Sequence, residues 1–414
     1  MTQRPRSAAT LAALLLGAAL CVTPRVEGAV ATIDNGAEPA EGQTVLQLEE
    51  LWRIGGIDDE ENLLGVVNRA LADDDGNIYL LDIQLTEVLV YSPDGQYLQS
   101  LGRAGEGPGE IRRASDVLFL PDGTVGLVQG FPGKIVKVQL DGTPAGELRP
   151  GGGDPSAGGF FGLRAAATTG DRLVLSGLRV SRGENTRTAR HFVADFSLDG
   201  AQLLEFAGKT SEREFRAAER SEMTEFFPHA GGWALAPDGR VLVAPQRNAY
   251  AIDVYAPDGT HERTFGRSYE SWKRTDKELE RARDSLTPRR RRNRGQISLV
   301  MEATERDILK IRCDDAGRIW VLPSRGIRGQ PAGIHSTWDV FGADGLFEQQ
   351  IRISCDGDGE RDALFFVGDD RVILVKEHAD ALRAFAGGGG DIDTEQADLE
   401  DVRPLEVICY RRAP

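Results

Sequence analysis

The chain has 414 residues, 65 acidic against 49 basic side chains and a formal net charge of −16, with 40% hydrophobic and 7% aromatic content. So acidic a surface repels nucleic acid and anionic membranes, and no stretch approaches the roughly 20 consecutive apolar residues of a membrane-spanning helix. A chain this long is ordinarily two domains, but ring-shaped repeat architectures extend one body to this size, and one domain over 32–414 is expected.

Residues 1–31 read as a secretory signal peptide: Arg4 and Arg6, an apolar run from Ala8 to Val22, and a small-residue cleavage site at Ala29-Val-Ala31. Its removal takes away three Arg and one Glu and leaves a charge of −18. Cys21 is poorly placed for lipidation, because Leu20 puts a bulky side chain where that signal needs a small one. The expected location is secreted or periplasmic, and the expected state a monomer.

Beyond the leader, Asp-Gly dipeptides recur in pairs: Asp75-Gly76 with Asp94-Gly95, Asp122-Gly123 with Asp141-Gly142, and Asp238-Gly239 with Asp258-Gly259. Members of a pair are 19 or 20 residues apart, and the first two pairs start 47 residues apart. That period belongs to four-stranded sheets repeated around an axis. Asp-Gly supplies the positive φ of a tight hairpin, and the flanking Val, Ile, Leu and Tyr suit pleated, buried strands. Aligned on the first turn, six units follow in order: Asn68–Gly102, Asp116–Leu148, Arg164–Phe206, Gly232–Phe265, Lys310–Ile353 and Ala363–Arg411. The sixth stops after its third strand, Leu405–Tyr410, and Thr44–Gly55 ahead of the first unit ends in the same Arg-Ile-Gly style as other fourth strands. The predicted fold is therefore all-β, a six-bladed β-propeller whose N-terminal strand closes the last blade and so removes the open sheet edges.

The interruptions are a linker at Ala207–Pro228, an insertion at 266–307, and the Gly387–Gly390 run leading into an acidic stretch that ends at Asp401. Within the insertion, Tyr269–Asp284 has strong helix formers and mixed charges, Pro288 ends the helix, and Arg289, Arg290, Arg291 and Arg292 follow. As a fourth-to-first-strand connection it would overhang the channel, so Trp272 and the four arginines are expected to form a lid or partner-docking element. The long third-unit connection, Arg179–Arg190, is expected to join the same recognition face.

The motif "Asp-Gly, strand, Asp82, strand, Pro-Asp-Gly, strand, Leu-Gly-Arg" with the Gly-rich link Leu101–Ile111 resembles the NHL-type six-bladed propellers. The insertion followed by Gly317-Arg-Ile-Trp-Val321 is similar to secreted bacterial six-bladed propellers of undetermined activity. The resemblance implies architecture rather than chemistry, and implies that Asp82 bonds neighbouring backbone. In a related fold, the peptidyl-hydroxyglycine amidating lyase, histidines hold zinc at this kind of location. Gluconolactonase-like propellers hold a divalent ion, but Asn68 and Asp116 are the sole echoes of that set.

In a propeller the first strand of each blade lines the channel. Seven positions before the first turn the six units carry Arg69, Asp116, Arg164, Gly232, Lys310 and Ala363, and four and six before it mostly apolar residues. One reading is a channel mouth with three cations and a carboxylate, suited to a small anionic ligand. The other is a solvated rim whose charges pair with one another. His191, His229 and His335 fall on the same expected face and support an alternative, a metal-assisted lyase or hydrolase using Zn or Ca, although no compact ligand spacing is present. Gly102, Gly105, Gly107 and Gly109 lead into a strand and read as turn glycines rather than a phosphate cradle, and no Gly-x-Ser-x-Gly elbow occurs. Cys355 and Cys409 both lie near the last unit, where a disulfide would suit an oxidising compartment; three separate thiols, with Cys313, are the other reading. The leading expectation is a binding scaffold for a ligand or a protein partner, with no cofactor.

Overall fold

A computed structural model describes residues 30–414 except 58, 60, 61, 152–158, 215–218, 287–297, 369, 388–403 and 413–414. All but the last two residues of the expected leader, Arg289–Arg292 and most of the glycine-rich and acidic excursion thus lie outside the described residues.

The described chain is mostly β. Three four-stranded antiparallel sheets follow one another in sequence. The first contains β3 (Val67–Ala72), β4 (Ile78–Asp82), β5 (Glu87–Tyr91) and β6 (Tyr97–Leu101). The second contains β7 (Ala114–Phe119), β8 (Val125–Gln129), β9 (Lys134–Val138) and β10 (Pro144–Leu148). The third contains β11 (Phe160–Thr169), β12 (Arg172–Arg182), β13 (Thr186–Phe196) and β14 (Gln202–Glu214). Next come β16 (Trp233–Leu235), β17 (Val241–Val243), β18 (Ala251–Tyr255) and β19 (His261–Arg267), to which β1 (Ala31–Asn35) adds a fifth, parallel strand. The final, eight-stranded sheet joins β21 (Ile308–Cys313), β22 (Ile319–Pro323), β23 (Ile334–Phe341) and β24 (Phe347–Ser354) to β25 (Ala363–Val367), β26 (Arg371–Lys376) and β27 (Glu406–Arg412) through β2 (Gln43–Gly55).

The tight turns follow from the sequence: Gly76, Gly95, Gly123, Gly142, Gly239 and Gly259 all have φ between +80° and +85°, a region that only glycine enters without steric cost. The strands between them bury Val, Ile and Leu, and several of the apolar clusters sit between successive sheets. Val117 and Leu127 of the second sheet pack with Leu81 and Val88 of the first, and Leu173 and Phe192 of the third with Val128 and Ile135 of the second. Ile78 and Leu80 of the first pack with Phe365, Ile373 and Val407, so the last strands return to the first sheet. Sheets arranged radially, each packed on the next, with their first strands at a shared channel, make a β-propeller.

The N-terminal segment is longer in its reach than the sequence alone implied. β1 runs parallel to β19, and Asn35 ties the segment on by donating to the Gly266 and Gly345 carbonyls while accepting from the Phe347 amide. Gln43–Gln47 then pair in parallel with β24, and Leu48–Gly55 pair antiparallel with β27. One segment covers three successive outer sheet edges.

Three sequence expectations need correction. Arg179–Arg190 is no open loop: β12 and β13 extend in register as far as Arg182 and Arg187, and only a tight turn remains. The supposed linker at Ala207–Pro228 begins as β14, which pairs with β13 out to Glu214, and continues into β15 (Glu219–Ser221) and a short helix α1 (Glu222–Glu225). In the insertion, helix α2 spans Asp276–Leu286, and β20 (Ser298–Val300) pairs with β15. Tyr269–Lys273 precede the helix because a capping arrangement starts it: Glu278 accepts from the Thr275 amide and hydroxyl. Cys313, Cys355 and Cys409 are free thiols. No helix among the described residues is long and apolar enough to cross a membrane.

Candidate site at the channel mouth

The innermost strands β3, β7, β11, β16, β21 and β25 enclose a cavity of about 360 Å³. Four of these strands carry a bulge, at the strand start in β3, β7 and β21 and midway along β11, and the residue just after it lines the cavity: Arg69 on β3, Asp116 on β7, Ala165 on β11 and Lys310 on β21. A bulge re-aims a side chain by breaking the period of two, which is how the strand start presents charge while the strand itself stays apolar.

Of the four predicted mouth residues, the cavity brings together Arg69, Asp116 and Lys310. Arg164 is the exception. It is the bulged residue itself, exposed and outside the lining, and Ala165 takes its place. The third unit closes its first hairpin with the two residues Gly170-Asp171, whereas the others use longer turns, so counting back from the turn slips by one. Arg312 also lines the cavity, although it is not among the expected mouth residues. The signal was there: Lys310 and Arg312 have the same parity on one strand and so share a face.

Asp116 is buried, with Arg69 Nε 3.4 Å from Oδ1, and it accepts from the amides of Val117 (2.9 Å) and Ala166 (3.0 Å). Burial pushes its carboxyl above the usual range, and Arg69 and the two amides pull it part of the way back. Lys310 has no such anion. Its Nζ donates to the Leu364 carbonyl at 3.1 Å and lies 4.9 Å from the centroid of Phe365. Burial, then the nearby charges of Arg69 and Arg312, bring its ammonium down to about 7. Arg312 stacks on Phe366 at 4.4 Å and Trp320 at 5.5 Å, and its buried Nη1 has no hydrogen-bond partner. Burial and then Arg412 lower it to about 10. The cavity therefore holds three cations against one carboxylate, and the remaining wall is mainly apolar, with alanines from β3, β11 and β16 beside larger side chains such as Trp233, Leu235 and Phe365.

The histidines divide into two neighbourhoods. His191, in mid-β13 rather than at a strand start, places Nδ1 2.7 Å from Nε2 of His229, and Phe227 packs against both rings. His229 falls to about 3 through burial, then His191 and Arg164; His191 is lowered chiefly by burial. Their contact is a hydrogen bond, which occupies one ring's lone pair. The His229 carbonyl accepts from Nε1 of Trp233, a cavity residue, and so ties this pair to the channel wall. His335 lies elsewhere, 3% exposed, with Nδ1 3.0 Å from Ser336 Oγ and Nε2 unpartnered. Burial lowers it to about 4, as it does His378 at the start of helix α3 (His378–Gly387), and both sense the charge of Lys310. Among the described residues no three His, Cys, Asp or Glu side chains are grouped to hold a metal ion. The three-histidine donor set does not assemble.

The insertion is anchored by a buried ionic network. Arg274, 4% exposed at its side chain, bonds both oxygens of Glu222 (2.7 and 2.9 Å) and those of Glu305 (3.1 and 3.2 Å). Glu222 also receives Arg247 Nη2 at 2.7 Å and the Glu302 amide at 3.0 Å. Trp272 donates to Glu278 and lies beneath Arg325 and Arg328 at 5.6 and 5.8 Å. Asp82 does what its motif implies: its carboxylate takes four backbone amides, from Gly65, Val66, Gln84 and Leu85.

No family model and no curated protein matches the chain. Solved structures with a similar path include a member of the DUF4221 family from Bacteroides vulgatus (10% identity, TM-score 0.47, covering 90% of this chain and 99% of that one). They also include the calcium-binding protein regucalcin from Agrobacterium tumefaciens (11%, 0.40, 89% and 96%) and virginiamycin B lyase from Staphylococcus aureus (11%, 0.38, 80% and 83%).

Proposed function

We propose that this chain is an exported, monomeric, single-domain propeller of six blades that binds a small anionic ligand at its channel mouth. The blade count is supported by the six sequence units, each contributing one first strand to the cavity; the eight-stranded sheet is then two blades joined by β2, and α2 belongs to an insertion between the fourth and fifth blades. The observation that carries the binding reading is Lys310: an ammonium in a cavity, with a carbonyl as its hydrogen-bond partner and two further cations nearby, is a site short of negative charge. An anion entering between Arg69 and Lys310 would gain charge-assisted hydrogen bonds where water is partly excluded. The insertion, with Trp272 on the folded body and Arg289–Arg292 beyond the described residues, serves in this reading as a fixed wall or partner-docking element rather than a swinging lid, since Arg274 ties it to the partly buried Glu222 of α1.

Isothermal titration of the mature chain with small carboxylates and inorganic phosphate tests this. Saturable binding that weakens at least tenfold in Lys310→Met is expected; absence of binding by every anion tried rejects the mouth as an anion site. The second reading, a metal-assisted lyase or hydrolase, draws on the His191–His229 pair beside the channel. It requires stoichiometric zinc or calcium in protein purified without chelator, lost in His229→Ala.

A further inference from the structure

Lys310 and Arg312 stand on one face of β21 with a single residue between them, which sets their attachment points about 7 Å apart along the channel at roughly 3.3 Å per residue. The facing strand β25 repeats the interval: Lys310 Nζ bonds the Leu364 carbonyl, and Arg312 lies over the ring of Phe366, two residues further on. Arg69 stands at the level of Lys310, because each is the residue directly after its strand's bulge. Positive charge is thus concentrated at two levels. Apart from Asp116, which is paired with Arg69, the rest of the wall is mainly apolar and includes Ala70, Ala72, Ala165, Ala167 and Ala234, which offer no side-chain hydrogen bonds.

The deeper level is pre-formed. Phe366 is held between Arg312 at 4.4 Å and Arg412 at 5.3 Å, which fixes the plane of the Arg312 guanidinium, and Nη1 of Arg312 is buried without a partner. Among the described residues no carboxylate forms an ion pair with Arg312 or Lys310, and Asp116 answers Arg69 alone. The cavity accordingly has an excess of two positive charges. A single carboxylate at the mouth would leave Arg312 unsatisfied.

We infer that the channel takes a linear dianion, two acidic groups joined by an apolar spacer that holds them about 7 Å apart, one between Arg69 and Lys310 and the other on the Arg312 guanidinium. The inference rests on the anion-binding reading of the mouth and specifies its ligand class. A volume of about 360 Å³ accommodates such a molecule together with several waters.

Isothermal titration of the unaltered mature chain at about pH 6.5, where carboxylates are ionised and Lys310 is largely charged, uses succinate, glutarate, adipate, pimelate and the monocarboxylate hexanoate as probes. Affinity should peak near adipate and exceed that of hexanoate at least tenfold. Arg312→Met should bring adipate down to the hexanoate level while hexanoate itself weakens far less than adipate, and Lys310→Met should weaken both. Hexanoate binding as tightly as any diacid, or Arg312→Met weakening both equally, overturns the dianion while leaving an anion site at the mouth. Binding by none of the five removes the anion site as well. The chain-length series needs no variant, so a folding defect in Arg312→Met does not blunt the test.

Discussion

Replacing Asp82 by Ala should be among the most damaging single changes in the first sheet. Its carboxylate is fully buried and receives amides from Gly65 at 2.6 Å, Val66 at 3.0 Å, and Gln84 and Leu85 at 2.9 Å, so it clasps the segment leading into β3 to the turn after β4. Hydrogen bonds to a charged group contribute about 1.5–3 kcal/mol each, and a buried amide left without a partner costs about 1–3 kcal/mol. Only Val66 is completely buried, and water can reach part of the others once the side chain is gone. The four bonds therefore will not add in full, and a net loss of about 3–6 kcal/mol is expected. Asp82→Asn keeps the shape and one acceptor oxygen but turns an NH2 toward amide donors, so it should lose roughly half as much. Urea unfolding of the mature chain followed by tryptophan fluorescence measures both. A loss below about 1 kcal/mol for Asp82→Ala would mean that the clasp is not what positions β3.

Arg274→Met should cost about 3–5 kcal/mol, because it leaves Glu222 and Glu305 facing one another with too little positive charge; the same urea titration reads it, and a change under about 1 kcal/mol would class the network as an ordinary surface pair. Arg164→Ala should leave anion affinity unchanged by calorimetry, since the bulge turns that side chain out, whereas Arg69→Ala should weaken binding and strand Asp116; equal losses would undo the register assignment. Anion affinity should also depend on pH through Lys310. Arg69, Arg312 and Asp116 face its ammonium from β3, β21 and β7, and His335 and His378, held near 4, are neutral throughout the relevant range. The free ammonium titrates at about 7 and a bound anion raises it, so affinity is steady below that pH and falls, up to about tenfold per unit, as pH rises toward the bound value. Affinity that is flat from pH 6 to 9 would contradict this.

The repeat was legible because its turns are chemically obligatory: Asp-Gly at Gly76, Gly123 and Gly239 meets a backbone requirement that few residues satisfy, and that signal is local. Asp82 was legible for the same reason, as its four partners lie within 17 residues of it. The channel residues were half legible. Arg69, Asp116 and Lys310 follow from counting back from a turn, but the count fails at Arg164, where a two-residue hairpin and a bulge shift the register in ways that composition does not announce. Arg312 escapes the count because the turn marks one position per strand, and its charge lies two residues beyond Lys310 on the same face. The N-terminal wrap along β19 and β24 and the Glu222–Arg274–Glu305 network had no local signature at all, since their partners lie 31 to more than 300 residues away and only the fold brings them together. Tertiary closure, not propensity, makes those contacts.

The most direct test of the account is the titration of the Lys310 ammonium itself, followed by NMR on side-chain-labelled lysine with Lys310→Arg as the assignment control. The account predicts a midpoint at about 7 in the free protein, moving upward when a saturating diacid is added. A midpoint near the ordinary lysine value of about 10.4 that ignores the added acid would show a solvated amine, and the channel mouth would no longer be an anion site.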